Sequence, residues 1–337
     1  MHSTVRSAVV ALLLPAAAYA EGPVVRLKSI TQDGAEAIVA AAKKAAAGME
    51  SPIYKPAKVK MHVHVLNREG TLMAATQAQG AWPGSDDIAT RKARTSWLFK
   101  LPTRALGELS RPELAAKGPL YGIEGSNQGL ITFPGGLPLT TANGDVVGSI
   151  GVSGDTVDMD EAVAKAGADA LKSLKNAIIE VPSISRSGAE AIVAAARAKA
   201  NALESPIYKG SKTKMHVYVI GIEGAPLAAT QEDGAWTGSG DIALRKAKTA
   251  LLFKLPTRKI GELSRPDVKG PLYGIEYSNN GLITFPGGLP LYDEAGNTLG
   301  AIGVSGDTVD MDEQVAQAGV DALKKLLSEK KSATKAE

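Results

Sequence analysis

The sequence predicts an α+β protein made of two tandem domains, each a five-stranded antiparallel sheet packed with helices. The first observation behind this is an internal duplication. Glu50-Ser-Pro-Ile-Tyr-Lys55 recurs as Glu204-Ser-Pro-Ile-Tyr-Lys209, and His62 falls on His216 at the same offset of 154 residues. The second is the size of the period, which is far above the roughly 20 to 50 residues of a solenoid repeat and leaves each copy room for its own core. The third is that helical and alternating strand patterns follow one another in the same order in both copies.

Each copy opens on a helix. Asp33-x-x-Glu36, and Ser187-x-x-Glu190 in the second copy, have the capping-box spacing ahead of an Ala-rich run that reaches Ala47 in the first. From Val59 to Leu66 the residues alternate, with Met61, Val63 and Val65 on one face and His62, His64 and Leu66 on the other. The turn Asn67-Arg-Glu-Gly70 then leads into a strand over 72–76, so the two read as a hairpin. Ser85 or Asp86 caps a second helix through Ile88, Ala89, Lys92, Ala93 and Leu98, which closes before Pro102. Three more strands are expected around Leu130 to Phe133, Leu137 to Thr141 and Val146 to Val152, the last two joined at the hairpin-favouring pair Asn143-Gly144. A closing helix starts at Asp158 or Asp160 and continues through Val163, Ala166, Ala170 and Leu174. Helix, two strands, helix, three strands, helix is an antiparallel sheet with helices laid on it.

The 337 residues suit two domains at roughly 150 residues each. The first is expected over 24–176 and the second over 177–330, joined near Asn176 to Pro182. Between Arg111 and Lys117 the first copy holds two residues that the second, from Arg265 to Lys269, lacks; thereafter Gly129 to Leu139 matches Gly281 to Leu291, and Ile150 to Glu161 matches Ile302 to Glu313. Hydrophobic residues at 44% supply apolar surface for two cores. The 38 Lys and Arg nearly balance 35 Asp and Glu, and aromatics are 4%, so phosphate neutralisation and base stacking lack material and a nucleic-acid partner is not expected. The absence of cysteine removes disulfides, thiolate metal sites and cysteine nucleophiles together.

The first twenty residues read as a secretory signal peptide. Arg6 precedes the apolar run Ala8 to Ala18, and Ala18-Tyr19-Ala20 stands before Glu21 as a cleavage site. The run is shorter than the roughly 20 residues a bilayer span needs. The expectation is a periplasmic or secreted protein with no membrane span.

Several ordered motifs carry a family resemblance. They are Gly80-Ala-Trp before Asp87-Ile-Ala-x-Arg-Lys-Ala-x-Thr95, then Pro134-Gly-Gly-Leu-Pro-Leu139, then Val147-Gly-Ser-Ile-Gly-Val-Ser-Gly154 with Asp160-Glu161 and Ala166-Gly167. All recur in the second copy. On these residues each copy resembles the GlcG/HbpS family, the haem-degrading or DUF336 domain. The resemblance implies a profilin-like fold and binding of haem or a related tetrapyrrole; some members are associated with haem breakdown, cobalamin-related chemistry or redox sensing. It also implies assembly, either as a homo-oligomer or with the two domains as a dimer within one chain. A binding protein, a haem-degrading or small-metabolite redox enzyme, and a non-catalytic assembly module all fit, and no catalytic residue is assigned. The chain departs from the family where Val-Val-Asp usually ends the first strand, having Leu66-Asn67 and Ile220-Gly221 instead.

The candidate cofactor-binding residues follow. His62-Val63-His64 puts two imidazoles on one strand face, a spacing suited to metal or haem iron, and the second copy has His216-Val217-Tyr218, with tyrosine also a haem ligand. The alternative is a half-exposed strand face with amphipathic residues. Zinc needs three histidines to meet across two domains or carboxylates that no motif identifies, so no metal site is assigned. Asp87 and Arg91, like Asp241 and Arg245, stand at i,i+4; either they pair along the helix or Arg91, Lys92 and Arg245 hold propionates. Trp82 and Trp236 can stack on a macrocycle or cap a core. Phe133 and Phe285, each before Pro-Gly-Gly, mark a close backbone approach or an ordinary turn. Gly148 to Gly154 lacks the order and the parallel setting of a phosphate loop and reads as tight sheet packing. Asp155, Asp158, Asp160 and Glu161 favour a helix start rather than calcium, and Gly-Val-Ser-Gly carries no hydrolase signature.

Overall fold

The computed structural model describes residues 22–111, 117–265 and 267–334. The signal-peptide expectation over 1–20 lies outside the described residues. The chain divides into two compact units, one over Arg26–Pro182 and the other beginning at Ser183 and taking in 22–25.

The first unit runs β1 (Val24–Ile30), α1 (Gln32–Gly48), β2 (His62–Asn67), β3 (Leu72–Gln77), α2 (Gly84–Phe99), α3 (Thr103–Ser110), β4 (Gly136–Thr140), β5 (Val146–Ser153) and α4 (Val157–Ala170). The second sequence repeat has the same order, with β6 (Ile178–Ile184) straddling the boundary between the units as β1 does, then α5 (Arg186–Ala202), β7 (His216–Gly221), β8 (Pro226–Gln231), α6 (Ser239–Phe253), α7 (Thr257–Ser264), β9 (Gly288–Tyr292), β10 (Thr298–Ser305) and α8 (Val309–Thr334).

Each unit holds one four-stranded sheet, in the order β3-β2-β5-β4 and β8-β7-β10-β9. Two hairpins therefore meet through their inner strands, and all pairings are antiparallel. The alternation along β2 has the expected sense. Val63 and Val65 join Ile38, Val39 and Ala42 of α1, Ile150 and Val152 of β5 and Val163 of α4 in one buried cluster. The i, i+4 spacing of Ile38 and Ala42 is what lets one face of α1 cover the sheet. The opposite face of the sheet lies under α2.

The fold class holds, with four strands per sheet where five were expected. The missing strand is Leu130 to Phe133. Its backbone is satisfied elsewhere: Leu130 donates to the Glu124 carbonyl at 2.9 Å and Ile131 to Thr95 Oγ1 of α2 at 3.1 Å, so it runs irregularly across α2. Two elements of each copy are not expected from the sequence, the short helix α3 or α7 and the strand β1 or β6. β1 pairs with β6 in a separate two-stranded ladder. Antiparallel bonds close it at each end, from Thr31 N–H to Ala177 O and from Ser185 N–H to Pro23 O, both 2.9 to 3.0 Å.

Helix starts also differ from expectation. Thr31 caps α1 by accepting from Gly34 N–H at 3.1 Å, two residues ahead of the expected Asp33, and Ser185 does the same for α5. α2 begins at Gly84 after Pro83 with no side-chain cap, which frees Asp86 for another role. Thr156 caps α4 through Met159 N–H. No helix among the described residues is long and apolar enough to cross a membrane.

Candidate functional site

The face of the first sheet beneath α2 is polar. His62 and His64 point from β2 toward the helix and are buried, at 2% and 5% exposure, rather than half-exposed. Asp86, in the first turn of α2, places one carboxylate oxygen 3.2 Å from His62 Nδ1 and 3.0 Å from His64 Nε2. Thr90, one turn on, sets its hydroxyl 2.8 Å from His64 Nδ1 and 3.1 Å from the Asp86 carbonyl. The second nitrogen of His62, Nε2, is buried and has no hydrogen-bond partner among the described residues. Burial draws the His64 imidazole below its ordinary 6.5, against the opposing pull of the Asp86 carboxylate. His64 is thereby kept as a neutral base at physiological pH.

The second copy differs at the same positions. Tyr218 replaces His64, Gly240 replaces Asp86 and Leu244 replaces Thr90. His216 stays buried but bonds through Nε2 to the Trp236 carbonyl at 3.0 Å. Further along the interface Ser96 and Ser149 give way to Ala250 and Ala301, which form a small apolar cluster with Ile220 and Ala247. One helix–sheet interface is polar and the other apolar, on the same backbone plan.

The tryptophans lie in the loop just outside this layer. Trp82 is 47% exposed and Trp236 49%. Each leans on a tyrosine, Tyr54 or Tyr208, with ring centroids 5.5 Å apart, and each tyrosine carries a lysine ammonium, Lys60 or Lys214, 5.0 Å from its ring centre. An exposed aromatic face with a neighbouring cation is thus present twice.

The remaining candidates are engaged within the protein. Arg91 pairs with Asp87 at 2.9 Å and Arg245 with Asp241 at 2.8 Å along their own helices. Lys92 is fully buried. It donates to Asp160 at 2.7 Å and to the Val152 carbonyl at 2.9 Å, and sits 4.8 Å from the ring centre of Phe133. Lys246, Asp312 and Phe285 repeat that arrangement. Desolvation pushes Asp312 up to about 6 and draws Lys246 down, each against the attraction of the other. Phe133 and Phe285 are 40% exposed on their outer faces. Arg104 is clamped by Asp158 and Glu161 at 2.6 Å each, beside an open groove of about 420 Å³ that Pro102, Leu137 and Lys165 help to line. All four acids after Gly154 therefore have work inside the fold, since Asp155 takes a bond from Ser51.

Sequence reasoning paired His62 with His64 on one face but missed Asp86 and Thr90. In the sequence Asp86 shares the cap position with Ser85 as an alternative. The available signal was the difference between copies, where Asp86 and Thr90 are lost together with His64.

A family model described as haem degrading protein HbpS-like matches residues 30–169 and again 184–321. Over 148 residues the chain is 30% identical to a 15.0 kDa protein of Citrobacter freundii from the dhaT-dhaS intergenic region, covering 44% of this chain and 96% of that protein. It is 30% identical over 108 residues to the corrinoid adenosyltransferase PduO of Salmonella typhimurium, covering 32% of this chain and 31% of PduO. Among solved structures, a PduOC–haem complex matches at 26% identity over 40% of this chain and 89% of that one, with a TM-score of 0.35.

Proposed function

We propose that this chain, which belongs to the HbpS-like family, binds haem or a related tetrapyrrole outside the cytoplasm and serves its uptake, storage or sensing. The observation that carries the reading is the family match in both copies. The exposed Trp82 and Trp236 faces support it, because a flat macrocycle gains most from stacking on an indole already held by a second ring. Lys60 and Lys214 stand beside those faces, where a propionate meets a charge-assisted donor. In this reading the ring lies against the outer loops. His62, His64 and His216 are enclosed between strand and helix, where a ring of that width has no room, and Arg91, Arg245, Phe133, Phe285 and Tyr218 act at most at its margins.

Hemin titration of the full chain tests this. The expected result is a Soret shift saturating at two equivalents, falling to one in Trp82→Ala or Trp236→Ala. No Soret shift, or a shift indifferent to both variants, overturns it. The extracytoplasmic setting rests on residues 1–20 and is checked by fractionation. The family model's description favours a second reading, haem breakdown. Loss of the Soret band in the presence of a reductant and oxygen, faster than for free hemin and with iron released, separates breakdown from binding.

A further inference from the structure

We propose that His62, His64 and Asp86 of the first repeat bind one divalent transition-metal ion of the zinc, cobalt or iron(II) class, and that the second repeat holds no counterpart. The three side chains bring one ligand atom each to within 4.8 Å of one another, the one such grouping among the described residues. They come from rigid elements: two residues two positions apart on a central strand, and the first turn of the helix packed over them. Two imidazoles and a carboxylate suit zinc and the first-row ions better than the all-oxygen preference of magnesium or calcium.

The hydrogen bonds prepare the ligands. The Thr90 hydroxyl has one proton, and when it gives that proton to the Asp86 carbonyl it accepts from His64 Nδ1–H. His64 Nε2 is then left with its lone pair, aimed at an anionic oxygen 3.0 Å away. Two acceptors at that distance repel unless a proton or a cation lies between them. A metal ion converts the repulsion into ligation, and Thr90 becomes the outer partner that fixes the tautomer of a ligating histidine. The Asp86 side chain is 61% exposed, so water can reach the open side of the ion and complete its coordination.

The second repeat is the internal control. Tyr218, Gly240 and Leu244 remove one imidazole, the carboxylate and the orienting hydroxyl, and His216 turns Nε2 to the Trp236 carbonyl. Asp241, the nearest remaining acid on α6, is paired with Arg245.

The test is a cobalt(II) titration of the chelator-treated full chain, read by the visible d–d bands and by competition with zinc. It involves no haem and so stands apart from the preceding reading. One equivalent is expected. His64→Gln and Asp86→Asn should each abolish it, Thr90→Val should weaken it roughly 10- to 100-fold, and His216→Ala should leave it unchanged. Asp86 faces solvent, so Asp86→Asn remains informative if His64→Gln fails to fold. Absence of uptake, two equivalents, or loss in His216→Ala overturns the site.

Discussion

At His64 the cost of burial is set against the proximity of a carboxylate, and burial wins, so the imidazole titrates below 6.5 in the folded chain. An unfolded chain takes up the proton near the ordinary value, and the folded one resists it until lower pH. Protons bound in the unfolded state then exceed those in the native state, so stability is fully present above 6.5 and falls as pH drops through 6.5 toward the folded value. Chemical denaturation of the metal-free chain at a series of pH values between about 7.5 and 5 should show this loss. His64→Gln should flatten that part of the curve, and an unchanged slope in the variant would count against a neutral buried His64. Protons also compete with a metal for the same nitrogen, so cobalt affinity should weaken in the same direction. The pairing of His62 with His64 was legible in the sequence because strand side chains alternate with period two. The role of Asp86 was not, because an acid at a helix start is equally well explained as a cap, and only the folded helix shows which way its carboxylate turns.

Between elements, the decisive contact is α2 on β5. A Cβ built on Gly151 would lie 2.1 Å from the Ala89 carbonyl and 2.4 Å from the Ala93 nitrogen, both backbone atoms of α2. Gly303 stands in the same relation to Ala243 and Ala247. These glycines let a helix rest directly on the strand, the tight packing the sequence suggested in place of an anion-cradling turn. Gly151→Ala should therefore cost roughly 1 to 3 kcal/mol or more, because backbone must yield rather than a side chain swing aside. The same change lifts Asp86 away from His62 and His64, so cobalt uptake should fall with it. A stable Gly151→Ala protein with full uptake would refute the close-packing account. The hairpins were readable from Asn143-Gly144 and from alternation along β2. The segment 130–133 was misread because its apolar residues pass for a strand while its hydrogen bonds go to Thr95 and Glu124, which no local pattern reveals. β1 was missed because its partner, β6, lies more than 140 residues away in sequence.

In the molecule as a whole, duplication has kept the scaffold and released one interface. The two main cores share no residue: one draws on Val63, Ile150 and Val163, the other on Val217, Ile302 and Val315. Both units keep the Lys92–Asp160 pair or its copy Lys246–Asp312, at 2.7 Å and almost without exposure. Burial disfavours the charged form of each partner, so the pair holds by mutual attraction and by the Val152 or Val304 carbonyl that takes a further bond from the ammonium. Lys92→Met leaves Asp160 buried without its counter-ion and should destabilise the first unit by about 3 to 5 kcal/mol, whereas Lys92→Met with Asp160→Leu should recover most of that loss. Single-tryptophan chains separate the units, since Trp97 reports on the first and Trp236 on the second. With Trp82→Phe and Trp236→Phe in place, the Trp97 denaturation midpoint should drop in Lys92→Met. With Trp82→Phe and Trp97→Phe instead, the Trp236 midpoint should hold. If the Trp236 transition moves as far as that of Trp97, the two cores do not fold on their own terms, and the divergence of the second interface cannot have been free of cost to the first.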